Sequence, residues 1–377
     1  MAPVAGALER ERLHATFEAL CRIPSPTGDE RAVADWITRE LTAFGLAVEE
    51  DHAGSSIGSN AGNLLARMPG SGPTTLLFCA HMDTVPLTAP VEPVVRESGW
   101  ENANEGILGA DNKAAVAAIV ELARMRSLGA DEHEVGIELL FTVAEETGLN
   151  GAKQFDVGRL QSSLGYVFDH ASPVGEIIIA SPSQMSIRAE IRGRAAHAGL
   201  QPEDGVSAVL AAANAIVNMP QGRYDAETTA NVGTVRGGTA TNVVPDRCTI
   251  TAEVRAVEQE QLDRHLTQAI DALQDAADTA GCDLDLDVQQ LFMGYRLGPR
   301  DPTVTLAARA LRGLGYEPSL RSSGGGADAN AFRRAGFPCT NLANGTERAH
   351  QRTERVSLEA LDANLDLMLA LIDESGS

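Results

Sequence analysis

Apolar and polar positions follow two different rhythms along this chain, and the change falls near residue 183. Before it, apolar residues come in unbroken runs. Thr74-Thr75-Leu76-Leu77-Phe78-Cys79-Ala80, residues 136–144 and Leu164-Gly165-Tyr166-Val167-Phe168 read as strands buried on both faces, as in a parallel sheet. Shorter strands are expected at 46–49 and 63–68. Helical spacing separates these runs. Leu8, Leu13, Phe17 and Leu20 mark a helix over 7–20, and Val33, Trp36, Ile37, Leu41 and Phe44 mark a second that stops at Gly45. A third helix follows Asp111 and is apolar nearly all round (Ala114, Val116, Ala117, Val120, Leu122, Ala123), which predicts a buried helix. Strands alternating with helices predict an α/β sandwich.

From 183 onward the rhythm becomes strict alternation. Segments 184–191, 228–235, 248–257 and 284–291 read as half-exposed strands. They accompany an Ala-rich helix over 205–219 and a long helix over 259–280 with Leu262, Leu266, Ile270 and Leu273 on one face. This predicts an α+β domain with one open sheet face, inserted into the larger fold. After about Phe292 the first rhythm resumes with a helix over 304–314, a Gly-rich loop over 324–329, a short strand over 337–342, a loop with His350 and a last helix over 358–372. The expected domains are therefore 1–182 joined with 294–377, and 183–293.

Length and charge narrow the function. A chain of 377 residues is long for one core, which agrees with two domains. The net charge of −22 repels nucleic acid and anionic membranes, so neither is an expected partner. No apolar run approaches the length of a membrane span. The first residues carry no basic stretch followed by an apolar one, so no signal peptide is expected. Five cysteines without CxxC spacing predict reduced thiols in a cytoplasmic protein.

Chemistry collects where the apolar runs end. The first run leads into His81-Met82-Asp83, the second into Glu145-Glu146, the third into Asp169-His170. In open α/β sheets, ligands bind beyond the carboxyl ends of the strands. A metal-ligating His usually has its second ring nitrogen held by a carboxylate, and Asp83 is spaced to do that for His81. Glu145 and Glu146 diverge on a strand, so one can ligate metal while the other activates water. Either Asp169 or His170 is placed to reach the same pocket. Asp111 reads first as a helix N-cap, but a charge at the mouth of a buried helix otherwise needs a partner. Carboxylates and imidazoles without thiolates suit zinc, cobalt or manganese, and a carboxylate able to bridge suits a two-metal site.

Assembled, these residues resemble the di-zinc metallopeptidases of the aminoacylase/peptidase T family, over nearly the whole chain. The matching stretches are His81-Met82-Asp83-Thr84-Val85-Pro86, Gly109-Ala110-Asp111-Asn112-Lys113, Glu145-Glu146-Thr147-Gly148, residues 193–199 and residues 324–329. Gly151-Ala152-Lys153-Gln154-Phe155-Asp156-Val157, Tyr166-Val167-Phe168-Asp169 and residues 222–231 resemble the peptidase T-like branch. The resemblance implies a mixed-sheet, phosphorylase/hydrolase-like α/β catalytic domain with an inserted α+β, ferredoxin-like lid. It implies that His81 and Asp169 bind one zinc, that Glu146 and His350 bind the other, and that Asp111 bridges them. Asp83 then orients His81, and Glu145 is the general base. His197 matches a lid histidine that polarises the scissile carbonyl, supplied in many relatives by a partner subunit, which implies a homodimer through the lid. Asn242, Arg255, Gly325 and Gly326 match positions near substrate. The implied reaction is hydrolysis of an amide bond in small peptides, as by a tripeptide aminopeptidase, with N-acyl amino acid deacylation or carboxypeptidase action as the alternative on the same site. Ala195-Ala196-His197-Ala198-Gly199 departs from the peptidase T pattern toward that of the wider family. The resemblance gives Asn112 and Lys113 no role.

Overall fold

The computed structural model describes residues 2–129 and 133–376. The chain divides into two compact units. The first comprises residues up to Ile179, Leu297–Arg321 and those from Ala327 onward; the second comprises Ala180–Arg296 and Ser322–Gly326. The Gly-rich stretch thus sits with the inserted unit, whereas the sequence groups it with the larger domain.

The first unit is built on a mixed sheet. Its strands run in the order Val48–Glu50, Leu64–Met68, Gly136–Thr142, Thr75–His81, Leu164–His170, Cys339–Ala343, Glu176–Ser181. The pairings joining Gly136–Thr142, Thr75–His81, Leu164–His170 and Cys339–Ala343 are all parallel, and the flanking strands are antiparallel. The apolar runs explain this arrangement. Gly136–Thr142 is buried at every position, and Thr75–His81 at every position but its first. Only a sheet covered on both faces buries such strands. Helix Ala110–Leu128 packs on Thr75–His81 and Leu164–His170, with Ala7–Cys21 and Leu358–Gly376 packed against it, while Pro302–Gly313 and Asp328–Arg334 pack on Leu164–His170 and Cys339–Ala343; Ala114 to Ala118 are fully buried. All five cysteines are free and buried. Among the described residues, no helix is long and apolar enough to cross a membrane.

Strand Glu176–Ser181 and a small second sheet have no counterpart in the sequence pattern. Pro93–Arg96 and Gly99–Asn102 form a hairpin that pairs with Arg355–Ser357 and, through it, with Thr346–Glu347. Its two-residue turn, Glu97-Ser98, takes φ values of 44° and 63°. Such turns usually announce themselves by Asn-Gly or Asp-Gly, so this one carries no local signal.

The second unit is an antiparallel sheet in the order Gly222–Arg223, Thr228–Gly237, Arg247–Ala256, Ser183–Arg192, Asp283–Phe292. Burial alternates along Arg247–Ala256, with Cys248, Ile250, Ala252, Val254 and Ala256 inward. Helices Ala208–Asn218 and Gln259–Ala280 join these residues in one core through Ala211, Ala215, Leu262 and Leu273.

Candidate metal centre

The four parallel strands of the first unit end at one edge, and the titratable side chains gather there. His81 closes Thr75–His81, and Asp169 and His170 close Leu164–His170. Glu145 and Glu146 follow Gly136–Thr142 after a tight turn in which Ala144 has φ 52°. Two buried acids hold that turn. Glu30 accepts the Ala144 N–H at 3.1 Å, and Asp83 accepts those of Glu145 and Glu146 at 3.0 and 3.2 Å. Thr27 Oγ1 donates to the same Asp83 carboxylate at 2.7 Å.

His81 is oriented by Asp83 in two ways. Its Nδ1 donates to the Asp83 carbonyl at 2.9 Å and lies 3.4 Å from the carboxylate. With Nδ1 carrying the proton, Nε2 presents a lone pair. Nε2 lies 3.3 Å from Asp111 Oδ1 and 3.3 Å from Asp169 Oδ1. Of the pair at that strand end, it is therefore Asp169 that meets His81. The other Asp111 oxygen, Oδ2, lies 3.3 Å from His350 Nε2, which is 3.0 Å from Glu146 Oε2. Asp111 stands between two imidazoles that are 269 positions apart in the chain.

Asp111 is not the helix cap. Gly109, with φ 81°, occupies the N-cap of Ala110–Leu128, no side chain caps it, and Asp111 and Asn112 have non-helical backbone angles. The Asp111 carboxylate is turned to the imidazoles instead, while its N–H goes to Glu354 Oε1 at 2.9 Å. The Asp111–Asn112 peptide is cis.

These groups alter one another's protonation. Burial and repulsion from Asp169 push the Glu145 carboxyl well above its ordinary range. Burial, opposed by His81 and reinforced by Asp111, raises Asp169 to about 8. Burial works against ionising Asp111, yet hydrogen bonds from His350 and His81 hold its carboxyl below the usual range. Bonds to Asp111 and Glu146 raise His350 to about 10. Burial opposes charge on His81, but Asp169, Asp111 and Asp83 together hold its pKa well above the ordinary value.

This donor set fits metal ions. Ligand atoms of His81, Asp111 and Glu146 all lie within 4.8 Å of one another, as do those of His81, Glu145 and Asp169. Carboxylates crowded until their own protonation is favoured are what a cation relieves. Imidazole nitrogens and carboxylate oxygens without thiolate suit zinc, cobalt or manganese.

The second unit keeps its own candidates in two groups. His197 bridges to Val243, and the Ala198 N–H donates to the Asn242 carbonyl at 3.0 Å, so His197 and Asn242 are neighbours on exposed loops. His197 Nδ1 accepts the Gly199 N–H at 3.1 Å. Arg255 is gripped by both Glu253 oxygens at 3.0 Å and reaches the Gly324 carbonyl at 3.4 Å. Gly325 uses its N–H and carbonyl on Ser323 and Ser181. At Gly326 a Cβ would meet the Phe292 ring at 2.5 Å, so packing alone requires glycine there.

Two residues at the first site carry no signal in the sequence. Glu354 and Asn344 both hold the Asp111 segment through bonds spanning more than 200 positions. Asp328 is buried, accepts from Thr142 Oγ1 at 2.5 Å, and is raised by burial to about 6. Lys113 is buried, its pKa lowered by that burial, and its Nζ donates to the Ile23 carbonyl at 2.7 Å. It ties the helix mouth to the loop before Ser25, a structural role.

A family model for a peptidase dimerisation domain matches residues 179–280, and one for peptidase family M28 matches residues 63–169. The chain is 37% identical to the uncharacterized protein YqjE of Bacillus subtilis, across 98% of this chain and 99% of that one. It is similar in structure to aminopeptidase PepT from Bacillus cereus, with 38% identity, 98% of this chain and 99% of that one covered, and a TM-score of 0.85. A tripeptidase from Staphylococcus aureus superposes with a TM-score of 0.90 at 33% identity, covering 97% of this chain and 98% of that one.

Proposed function

This chain belongs to the peptidase T-like branch of the aminoacylase/peptidase T family of metallopeptidases, and from that premise we propose that it removes the amino-terminal residue of small peptides, tripeptides first among them, at a two-zinc centre. The observation that carries this reading is Asp111, with one carboxylate oxygen facing each imidazole. His81 and Asp169 would hold one ion and Glu146 and His350 the other, with Asp111 within reach of both. Cobalt and manganese suit the same donors.

When bound, the ions supply Lewis acidity, lowering the pKa of a water toward neutrality and polarising the scissile carbonyl. Glu145 takes the proton from the attacking water and delivers it to the departing amine nitrogen. Asp83 holds the Glu145–Glu146 turn and His81 in register. His197 donates to the carbonyl oxygen as charge develops there, and it comes from the partner copy of a homodimer. Asn242 and Arg255 contact substrate. The setting we propose is the cytoplasm.

The test is a metal-reconstituted assay over free-amine tripeptides, amino-blocked peptides and N-acyl amino acids, with metal per chain measured on the same sample. Free-amine tripeptides should turn over fastest, with two ions per chain. Faster turnover of acyl amino acids would make the chain a deacylase, and release of the carboxyl-terminal residue from blocked peptides would make it a carboxypeptidase. No turnover of any of them overturns the reading.

A further inference from the structure

The arm that carries His350 is poorly fixed by packing. It runs from the end of Cys339–Ala343 to the start of Arg355–Ser357, and the His350 side chain is 52% exposed. Arg348 and His350 both take positive φ, 55° and 65°. Yet His350 Nε2 must meet Asp111, which stands on the mouth of a different element. Within the arm, Thr346–Glu347 pairs with Arg355–Ser357 and Arg348 Nε donates to the Thr353 carbonyl at 2.7 Å; what ties it to the Asp111 segment lies at its two ends. At the start, buried Asn344 donates from Nδ2 to Asn112 Oδ1 at 3.2 Å and to the Phe168 carbonyl at 3.4 Å. Its own carbonyl accepts from Asn364 Nδ2 at 2.7 Å. At the finish, Glu354 is 2% exposed. One of its oxygens accepts the N–H groups of Leu108 and Gly109 at 2.8 and 2.7 Å, and the other accepts that of Asp111 at 2.9 Å.

We infer that Glu354 is a positioning residue for the metal centre: its carboxylate, seated on the N–H groups of Leu108, Gly109 and Asp111, sets the register between Asp111 and the His350 arm. Asn344, through Asn112, is the second staple. This rests on the two-metal reading. A carboxylate buried without a cation in contact is stabilised here by main-chain donors aimed inward, an anion-binding concavity whose anion is part of the chain itself. Each partner of Glu354 belongs to the segment that presents Asp111, so moving Glu354 moves one bridging ligand relative to the other arm. His81 and Asp169 stand on their own strands and have no direct bond to it. Outer partners of metal ligands typically carry about 10- to 100-fold in metal affinity. The arm ion, which needs both Asp111 and the His350 arm, should bear most of that loss, and the strand ion, which keeps His81 and Asp169, much less of it. The same staple gives Asn112 the role that the sequence leaves open.

Glu354→Gln keeps the shape but turns an amide NH₂ toward N–H donors. Metal-stripped wild type and variant are titrated with cobalt(II), with stoichiometry and absorption read at each addition. Wild type should take two ions. The variant should bind the second ion about 10- to 100-fold more weakly with a much smaller change for the first, and excess metal should restore its kcat. A purely structural role would lower the thermal midpoint without splitting the two affinities and would not respond to metal. If Glu354→Gln does not fold, Asn344→Ser reads the same quantity from the other staple. Two ions bound by the variant with wild-type affinity, or both weakened alike, overturn the inference alone. A wild type that binds fewer than two ions overturns the metal reading and this inference with it.

Discussion

The two units hold their functional candidates in opposite ways. In the first, the residues that orient the strand-end ligands have several fixed neighbours. Asp83 alone takes Thr27, His81 and two main-chain N–H groups, and His81 is 2% exposed. In the second, His197 and Asn242 are exposed on loops, and the imidazole has a single local bond to Gly199. The first arrangement is set before anything binds, which is what pre-organised electrostatics requires. The second gains its meaning from what approaches it. A residue of the first kind can be read from its own unit's fold, whereas one of the second kind is read only by perturbing it.

The sharpest way to test that contrast is to remove the chemistry of one residue on each side. Glu145→Gln should lower kcat by about 10²- to 10⁴-fold with metal per chain unchanged. Near-normal turnover would deny it the role of base. His197→Ala should cost about 10²- to 10³-fold in kcat, with metal content and thermal midpoint both unmoved because the side chain is exposed. Mixing these two variants then asks where His197 acts. If it crosses to a partner copy, half the dimers are mixed and each regains one intact site, so activity should recover to about a quarter of wild type. No recovery would place both groups in one chain's site.

The same contrast explains what was legible in the sequence. His81, Glu145, Glu146 and Asp169 sit where unbroken apolar runs stop, so strand burial and candidate chemistry are written side by side. Asp111 is marked by a buried helix, though as a cap; its true orientation depends on imidazoles far along the chain. His350 is a lone loop histidine that only the family resemblance brings in. Glu354 and Asn344 are invisible because their partners lie 232 to 246 positions away and nothing local distinguishes a buried acid from a surface one. The 93–102 hairpin is missed for another reason, since Glu97-Ser98 is not the turn chemistry that φ above zero usually demands.

A subtler effect separates the pre-organised site with metal from the same site without it. Stripped of metal, Asp169 and Glu145 keep raised pKa values, so the folded chain holds protons that the unfolded chain has released. Stability then falls as pH rises from about 4 to about 8. His350 and His81 add to this slope, because a raised histidine contributes stability below its ordinary pKa and loses it as pH rises through the folded one, about 10 for His350. The lowered carboxyls of Asp111 and Asp83 act only below about pH 4. With metal, the ligands must be deprotonated, so binding strengthens as pH rises. The thermal midpoint in chelator should therefore decline between about pH 5 and about pH 8, while that of the loaded protein holds or rises. Parallel slopes would mean that these groups do not bind the ions.

The smallest expected effect tests how far the first unit's rigidity extends. Thr27 is one of several partners of Asp83, and Thr27→Val removes its hydroxyl with almost no change of shape. Asp83 keeps the N–H groups of Glu145 and Glu146 and the His81 ring, so no buried oxygen is left without a partner. The loss should be about 1 kcal/mol in stability, with kcat within a few-fold of wild type and metal affinity unchanged. Shared support is the reason: when several bonds fix one carboxylate, each is individually dispensable. A fall in kcat of about 100-fold or more, far above the worth of one neutral hydrogen bond, would show that the Glu145 turn hangs on a single hydroxyl. The first unit's site would then be no more pre-set than the loops of the second.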